Sequence, residues 1–263
     1  MRLAITVAAS LVVASAASAA PPKPVLLGIS FPEGFSARQM VDRVAAVRRI
    51  AIKKLHVTPT LTAKSYAAAL TKARAPAAFR PFMKRTSVEG FLFPSLYKFG
   101  PADPAQRLIA LQIAEFERRW ATVDLSSVSA NPYEVLTVAS MVEREAAVED
   151  ERSLVAAVIY NRLAQKMPLG IDATLRYGLG IPGTRPLTKT QLQSDSPYNT
   201  RRFTGLPPTP IGNPGLASIE AAAKPASVDY LYYVRIPDTV RHFFTADYAE
   251  FCRKVTEYGY GAC

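Results

Sequence analysis

The sequence predicts an α+β protein: a small N-terminal module followed by a larger, mixed and mainly helical domain that closes with a β-hairpin. Three observations carry this. Apolar residues recur at helical spacing through three stretches, near 104–120, 132–147 and 151–165. Two short β-rich runs, Tyr230–Val234 and His242–Thr245, flank a Pro237-Asp238 turn. Between these regions, from Met167 onward, the chain is rich in Gly, Pro, Thr and Tyr, which predicts loops. The expected divisions are 1–19, 25–86 and 87–263.

Taken in order, the Pro21-Pro22-Lys23-Pro24 linker leads into VLLGISF, a short strand, and then a Pro32-Glu33-Gly34 turn. Ser36 is placed to N-cap a helix whose Met40, Val41, Val44 and Val47 share a face. One or two short helices are expected between Val57 and Lys84, broken at Pro59 and Pro76. EGFLFPSLYKF, punctuated by Gly90 and Pro94, reads as an irregular buried connection. Leu108, Ile109, Leu111, Ile113 and Phe116 then support a helix over 104–120. Asn131-Pro132 starts the next, with proline at a permitted first-turn position. Its apolar stripe is Val135, Val138, Ala139, Val142 and Ala146, with Arg144 opposite. A further helix, 151–165, turns Leu154, Val155, Val158 and Ile159 inward.

The 263 residues are 49% hydrophobic, ordinary for a folded chain, so disorder is not the default. The first stretch has an early charge at Arg2, an apolar run to about Ala16 and the small residues Ala17-Ser18-Ala19. That is the pattern of a signal peptide cleaved near Ala19, with an uncleaved anchor as the alternative. An exported chain can keep a disulfide, and Cys252 and Cys263 stand open between a terminal bridge and two thiols. Two distant histidines, His56 and His242, with no Cys–His spacing argue against zinc. A formal charge of +11 suits a polyanionic partner, but export and the scattered placement of Lys and Arg argue against nucleic acid and favour cell-wall polymers or membrane surfaces.

At 100° per residue, Glu143 and Glu145 flank the apolar stripe of the 132–147 helix, and Glu145 lies nearer its middle, beside Val138 and Met141. Partial burial there raises a carboxyl pKa. Hydrolytic glycosidases use two carboxylates, and no such pair announces itself by spacing. One protonated carboxyl suffices where a hydroxyl of the same sugar is the attacking group, because proximity replaces the second catalyst. Periodicity alone names no enzyme, since a Glu beside an apolar stripe is ordinarily a surface or ion-paired residue, and Arg144 and Arg152 are available to pair.

The string ASMVEREA, Ala139 to Ala146, resembles the signature of the MltG-type (YceG-like) endolytic murein transglycosylases. EGFLFPSLY, LVAAVIYNRL, MPLGIDATLRYGLG, SPYNTRRFTGLPPTPIGNPGLASIEAA and the pair DYLYYV with HFF are similar to that family's other segments, in the same order across 89–250. Asp172-Ala173-Thr174 stands where Asp-Pro-Thr is usual. The resemblance implies Glu145 as general acid and base, cutting the bond after N-acetylmuramic acid to leave a 1,6-anhydro end. It also implies peptidoglycan glycan strands as substrate, cell-wall synthases as partners, and no metal or organic cofactor. The setting it implies is the periplasm or cell envelope, with attachment to the cytoplasmic membrane through the N-terminal segment. Glu143, Asn161, Asp172, Thr174, Tyr198 and Asn199 are the expected substrate-binding residues, each with a purely structural alternative: ion pair, helix cap, loop-internal hydrogen bond or Asx turn. FPEGFSARQMVDRV resembles the turn that opens the family's LysM-like module. A relative that holds peptidoglycan or a synthase without cutting is the alternative function.

Overall fold

The computed structural model describes residues 25–183 and 185–261; the signal-like segment and Cys263 lie outside them. Leu27–Ser30 forms β1, and its alternation buries Leu27 and Ile29 on one side. Its partner is β2, Leu96–Phe99, paired antiparallel with Leu27 opposite Phe99 and Ser30 opposite Leu96. The stretch predicted as irregular throughout therefore ends in a strand. Its pairing spans nearly seventy positions, which no local pattern discloses.

Between the strands lie α1, Ala37–Leu55, and α2, Ala63–Lys72. Ser36 caps α1 through a full capping box with Gln39, as its sequence position predicts, and Thr62 does the same for α2 with Ser65. A short 3-10 turn follows at Arg80–Phe82. Next, α3, Ala105–Trp120, links two cores. Leu108 and Ile109 pack with Leu27, Ile29, Phe31, Met40 and Tyr66, while Phe116 packs with Phe79, Phe91 and Tyr133. The module begun at residue 25 thus shares its sheet and its core with residues beyond 86.

The second core is built on α4, Pro132–Glu145. An amphipathic stripe was expected; instead every residue from Val135 to Val142 is buried. The reason is packing on several sides, by α5, Arg152–Ala164, by α6, Asp172–Leu179, and, beyond the short helix α7, Lys189–Leu192, by α8, Leu216–Ala223. These last three helices lie where loops were predicted. The polar Thr137 and Ser140 are accommodated inside α4 because their hydroxyls donate to carbonyls one turn back, those of Tyr133 and Thr137.

The chain then forms the expected hairpin, β3 (Tyr232–Arg235) and β4 (His242–Thr245), with Tyr233 opposite Phe244. Helix α9, Tyr248–Glu257, packs against both of its strands. Among the described residues no helix is long and apolar enough to cross a membrane.

Candidate functional site around Glu145

Glu145 is the last residue of α4, where that helix leaves the core. Asn131 fixes the other end, its Oδ1 accepting from the amides of Tyr133 and Glu134 at 3.0 and 3.1 Å. At the exit Glu145 is half-buried, while Arg144 is exposed, as its helical phase predicts. The Tyr233 hydroxyl donates to Glu145 Oε2 at 3.0 Å. Burial holds the Glu145 carboxyl above the ordinary carboxylate range and the Asp172 charge adds to this; the Tyr233 hydrogen bond and the positive fields of His242 and Arg144 oppose it. Burial and the adjacent Glu145 in turn push the Tyr233 phenol far above its usual value, so the hydroxyl keeps its proton.

Tyr233 reaches this position because the hairpin is anchored to α5. Asn161 Nδ2 donates to the carbonyls of Val228 and Tyr230, both at 2.9 Å, and Arg162 Nε donates to Leu231 O at 2.6 Å. On β4, His242 meets Glu151 twice, through its backbone N–H at 3.0 Å and its Nδ1 at 2.8 Å. Glu151 is buried, and the His242 ring stands edge-on to Tyr233 at 5.4 Å. Asn161 is thus neither a helix cap nor a free donor; both its amide hydrogens hold the approach to β3.

Asp172 opens α6, and its Oδ1 accepts from Arg201 Nε at 2.6 Å at a partly exposed site. It is the predicted residue that shares an electrostatic environment with Glu145. Glu143 faces the other flank of α4, where its Oε2 accepts from the Gly215 amide at 3.1 Å; burial raises the pKa of Glu33, and the Glu143 charge adds to this. Thr174 is buried and shares its hydroxyl with Ile171 O and Thr200 Oγ1, at 2.7 and 2.9 Å. Asn199 is buried too, donating to Leu192 O and Ser194 O. Tyr198 pairs its hydroxyl with Thr209 Oγ1 at 2.8 Å. These three side chains fix the loop wall and keep their polar groups inside it.

Sequence reading missed Tyr233, Arg162 and the His242–Glu151 pair. The strand signal over 230–234 located the element, but Tyr230, Tyr232 and Tyr233 offered no local reason to choose among them. It also missed Glu89, which lies in a separate knot. There its carboxylate accepts from the Ala37 amide, from Asn213 Nδ2 at 2.8 Å and from the Tyr177 hydroxyl at 3.0 Å, and burial pushes its pKa up to about 7. A cavity of about 1070 Å³ opens at the other end of α4, walled by Tyr133, Tyr160, Pro207 and Pro208 and edged by Lys84 and Arg85; Glu145 is not in its lining. Among the described residues no cluster of three or more His, Cys, Asp or Glu side chains is arranged to hold a metal ion.

The YceG-like family matches residues 8–257. An endolytic murein transglycosylase of Bacillus subtilis is 40% identical over 150 residues, 56% of this chain and 41% of that protein. Its counterpart in Streptococcus pneumoniae D39 is 27% identical over 259 residues, covering 90% of this chain and 46% of the relative. The chain therefore spans less than half the length of these curated relatives. The crystal structure of a yceG-like protein from Listeria monocytogenes superposes with a TM-score of 0.69 at 29% identity, over 85% of this chain and 74% of that one. Matched along nearly its whole length, the chain belongs to the YceG-like family.

Proposed function

We propose that the protein is an endolytic lytic transglycosylase that cuts the glycan strands of peptidoglycan, with Glu145 as its single proton-transferring carboxyl. One observation carries the reading: Glu145 leaves the buried helix α4 half-covered, with a raised pKa and one oxygen held by Tyr233. A carboxyl in this state is protonated closer to neutral pH than a free one and suits general acid catalysis. It protonates the oxygen leaving C1 of N-acetylmuramic acid. The C6 hydroxyl of the same sugar then attacks C1 and returns its proton to Glu145, giving the 1,6-anhydro product. Family membership and the murein transglycosylase names of two relatives support the substrate class.

The two-carboxylate alternative is less well supported. Asp172 is engaged by Arg201, and Glu143 is turned to the other side of α4 against Gly215. Tyr198, Asn199 and Thr174 support the reading as shapers of the loop wall, and Asp172 with Arg201 as a partly exposed ion pair whose carboxylate acts on Glu145. The β1–α1–α2–β2 unit, opened by the FPEGFS turn, supports a LysM-like carbohydrate-holding module. Export to the cell envelope, attachment through the N-terminal segment and contact with cell-wall synthases complete the proposal.

Incubation of purified peptidoglycan with the wild type and Glu145→Gln decides it. The wild type releases anhydromuropeptides by mass spectrometry, and the variant loses at least about 100-fold in rate. Products heavier by one water identify a hydrolase instead; sedimentation with peptidoglycan and no cleavage identifies a binding protein.

A further inference from the structure

We infer that Tyr233 is the positioning residue of the Glu145 carboxyl: its hydroxyl holds Oε2, leaving Oε1 as the oxygen that both gives and takes the proton. The inference rests on the transglycosylase reading and names the atom that serves it.

The geometry leads there in three steps. First, the phenolic proton is directed at Oε2 at 3.0 Å, so in the acid form Oε2 is the carbonyl oxygen and the proton sits on Oε1. Second, the ring is held from two elements. Arg162 and Asn161 of α5 hold the carbonyls at 228, 230 and 231, just before β3, and the edge of His242, itself fixed by Glu151, closes one side of the ring. A phenol so braced acts as a fixed dipole and needs no reorganisation during the reaction. Third, other titratable groups act on the pair: Asp172 from α6, His242 from β4, Arg144 from α4 and, toward Tyr233, Arg162 from α5. Within this set Tyr233 is the group hydrogen-bonded to the carboxyl.

The proton balance follows. The Oε1 proton moves to the leaving oxygen as the C1–O bond breaks and its electron pair departs with that oxygen. The O6–C1 bond forms, and the O6 proton returns to Oε1. Between the two transfers the carboxylate is stabilised by the Tyr233 hydrogen bond, which strengthens as charge develops on the carboxyl.

Tyr233→Phe removes one oxygen from this arrangement. The loss of that bond is expected to lower kcat by about 10- to 100-fold, with KM changed less than about twofold because uniform binding is untouched. Because the lost bond favoured the carboxylate, the pKa of Glu145 rises, and the alkaline limb of the kcat/KM profile moves to higher pH. Incorporation of 3-fluorotyrosine at 233, a stronger donor that preserves the ring, moves the limb the opposite way. A direct readout needs no turnover: carbon-13 titration of the Glu145 carboxyl, assigned by its absence in Glu145→Gln, shifts up in the Phe variant and down with fluorotyrosine. An unchanged titration in both proteins overturns the inference. Anhydro products absent from the wild type overturn the transglycosylase reading, and the titration still decides whether Tyr233 governs Glu145.

Discussion

A buried carboxylate that accepts only from donors is in tension with its own desolvation, and Glu89 displays that tension. All of its hydrogen bonds favour the ionised form, yet burial outweighs them and brings its pKa to about 7. A carboxyl raised on folding contributes stability that is complete below its unfolded pKa, near 4.5, and is lost as pH rises through about 7. The stability difference between wild type and Glu89→Gln should therefore fall by about 3 kcal/mol from pH 4.5 to 8, as read from urea unfolding midpoints. At this scale helical phase was informative: it set Glu145 on the edge of burial and Arg144 in water. It failed where the deciding contact was distant. Leu111 was expected inside α3 and is exposed, while Gln112 is buried because Tyr66 and Met40 meet its amide, at 2.5 and 3.3 Å. A polar side chain satisfied across 46 positions leaves no periodic trace.

Elements were legible where their ends carry chemistry. Ser36 and Asn131 announce α1 and α4 because a side-chain oxygen must satisfy the first free amides. Replacing Asn131 by Ala should cost about 1 kcal/mol, visible as a lower melting temperature with the carbon-13 titration of Glu145 unchanged, since the cap lies at the far end of α4. Helices α6 and α8 were not legible. Each has eight residues, too few to be stable alone, and α6 is bounded by Gly170 and Gly180 at positive φ. Packing against α4 supplies what propensity does not. For α9 the cause differs: none of its ten residues is fully buried, because the helix rests on a hairpin that is itself only partly covered.

For the molecule as a whole, two apolar cores meet at one polar knot. Asn213 is completely buried. Its Oδ1 accepts from the amides of Gly90 and Leu92, and its Nδ2 donates to Phe35 O and Glu89 Oε1. Gly90 permits the approach, since a Cβ there would lie 2.8 Å from Pro210 and the backbone sits at φ +92°. Removing the Asn213 side chain strands several buried groups at once, so Asn213→Ala should lose about 3–5 kcal/mol. Calorimetry should then resolve two transitions where the wild type gives one. The overall α+β plan, helices α1, α3, α4 and α5, and the hairpin were readable from periodicity and turn residues, whereas α9, which follows the hairpin where the chain was expected to close on it, was not. The knot was not, because Phe35, Glu89 and Asn213 gather from three distant stretches.

The hydroxyl that completes Glu145 arrives from 88 positions farther along the polypeptide. During synthesis the acid therefore emerges from the ribosome long before its partner, and a half-made chain carries a glutamate with neither its brace nor its enclosing wall. Under the proposed reading, assembly itself is the arming step, since the carboxyl gains its brace only when the hairpin docks.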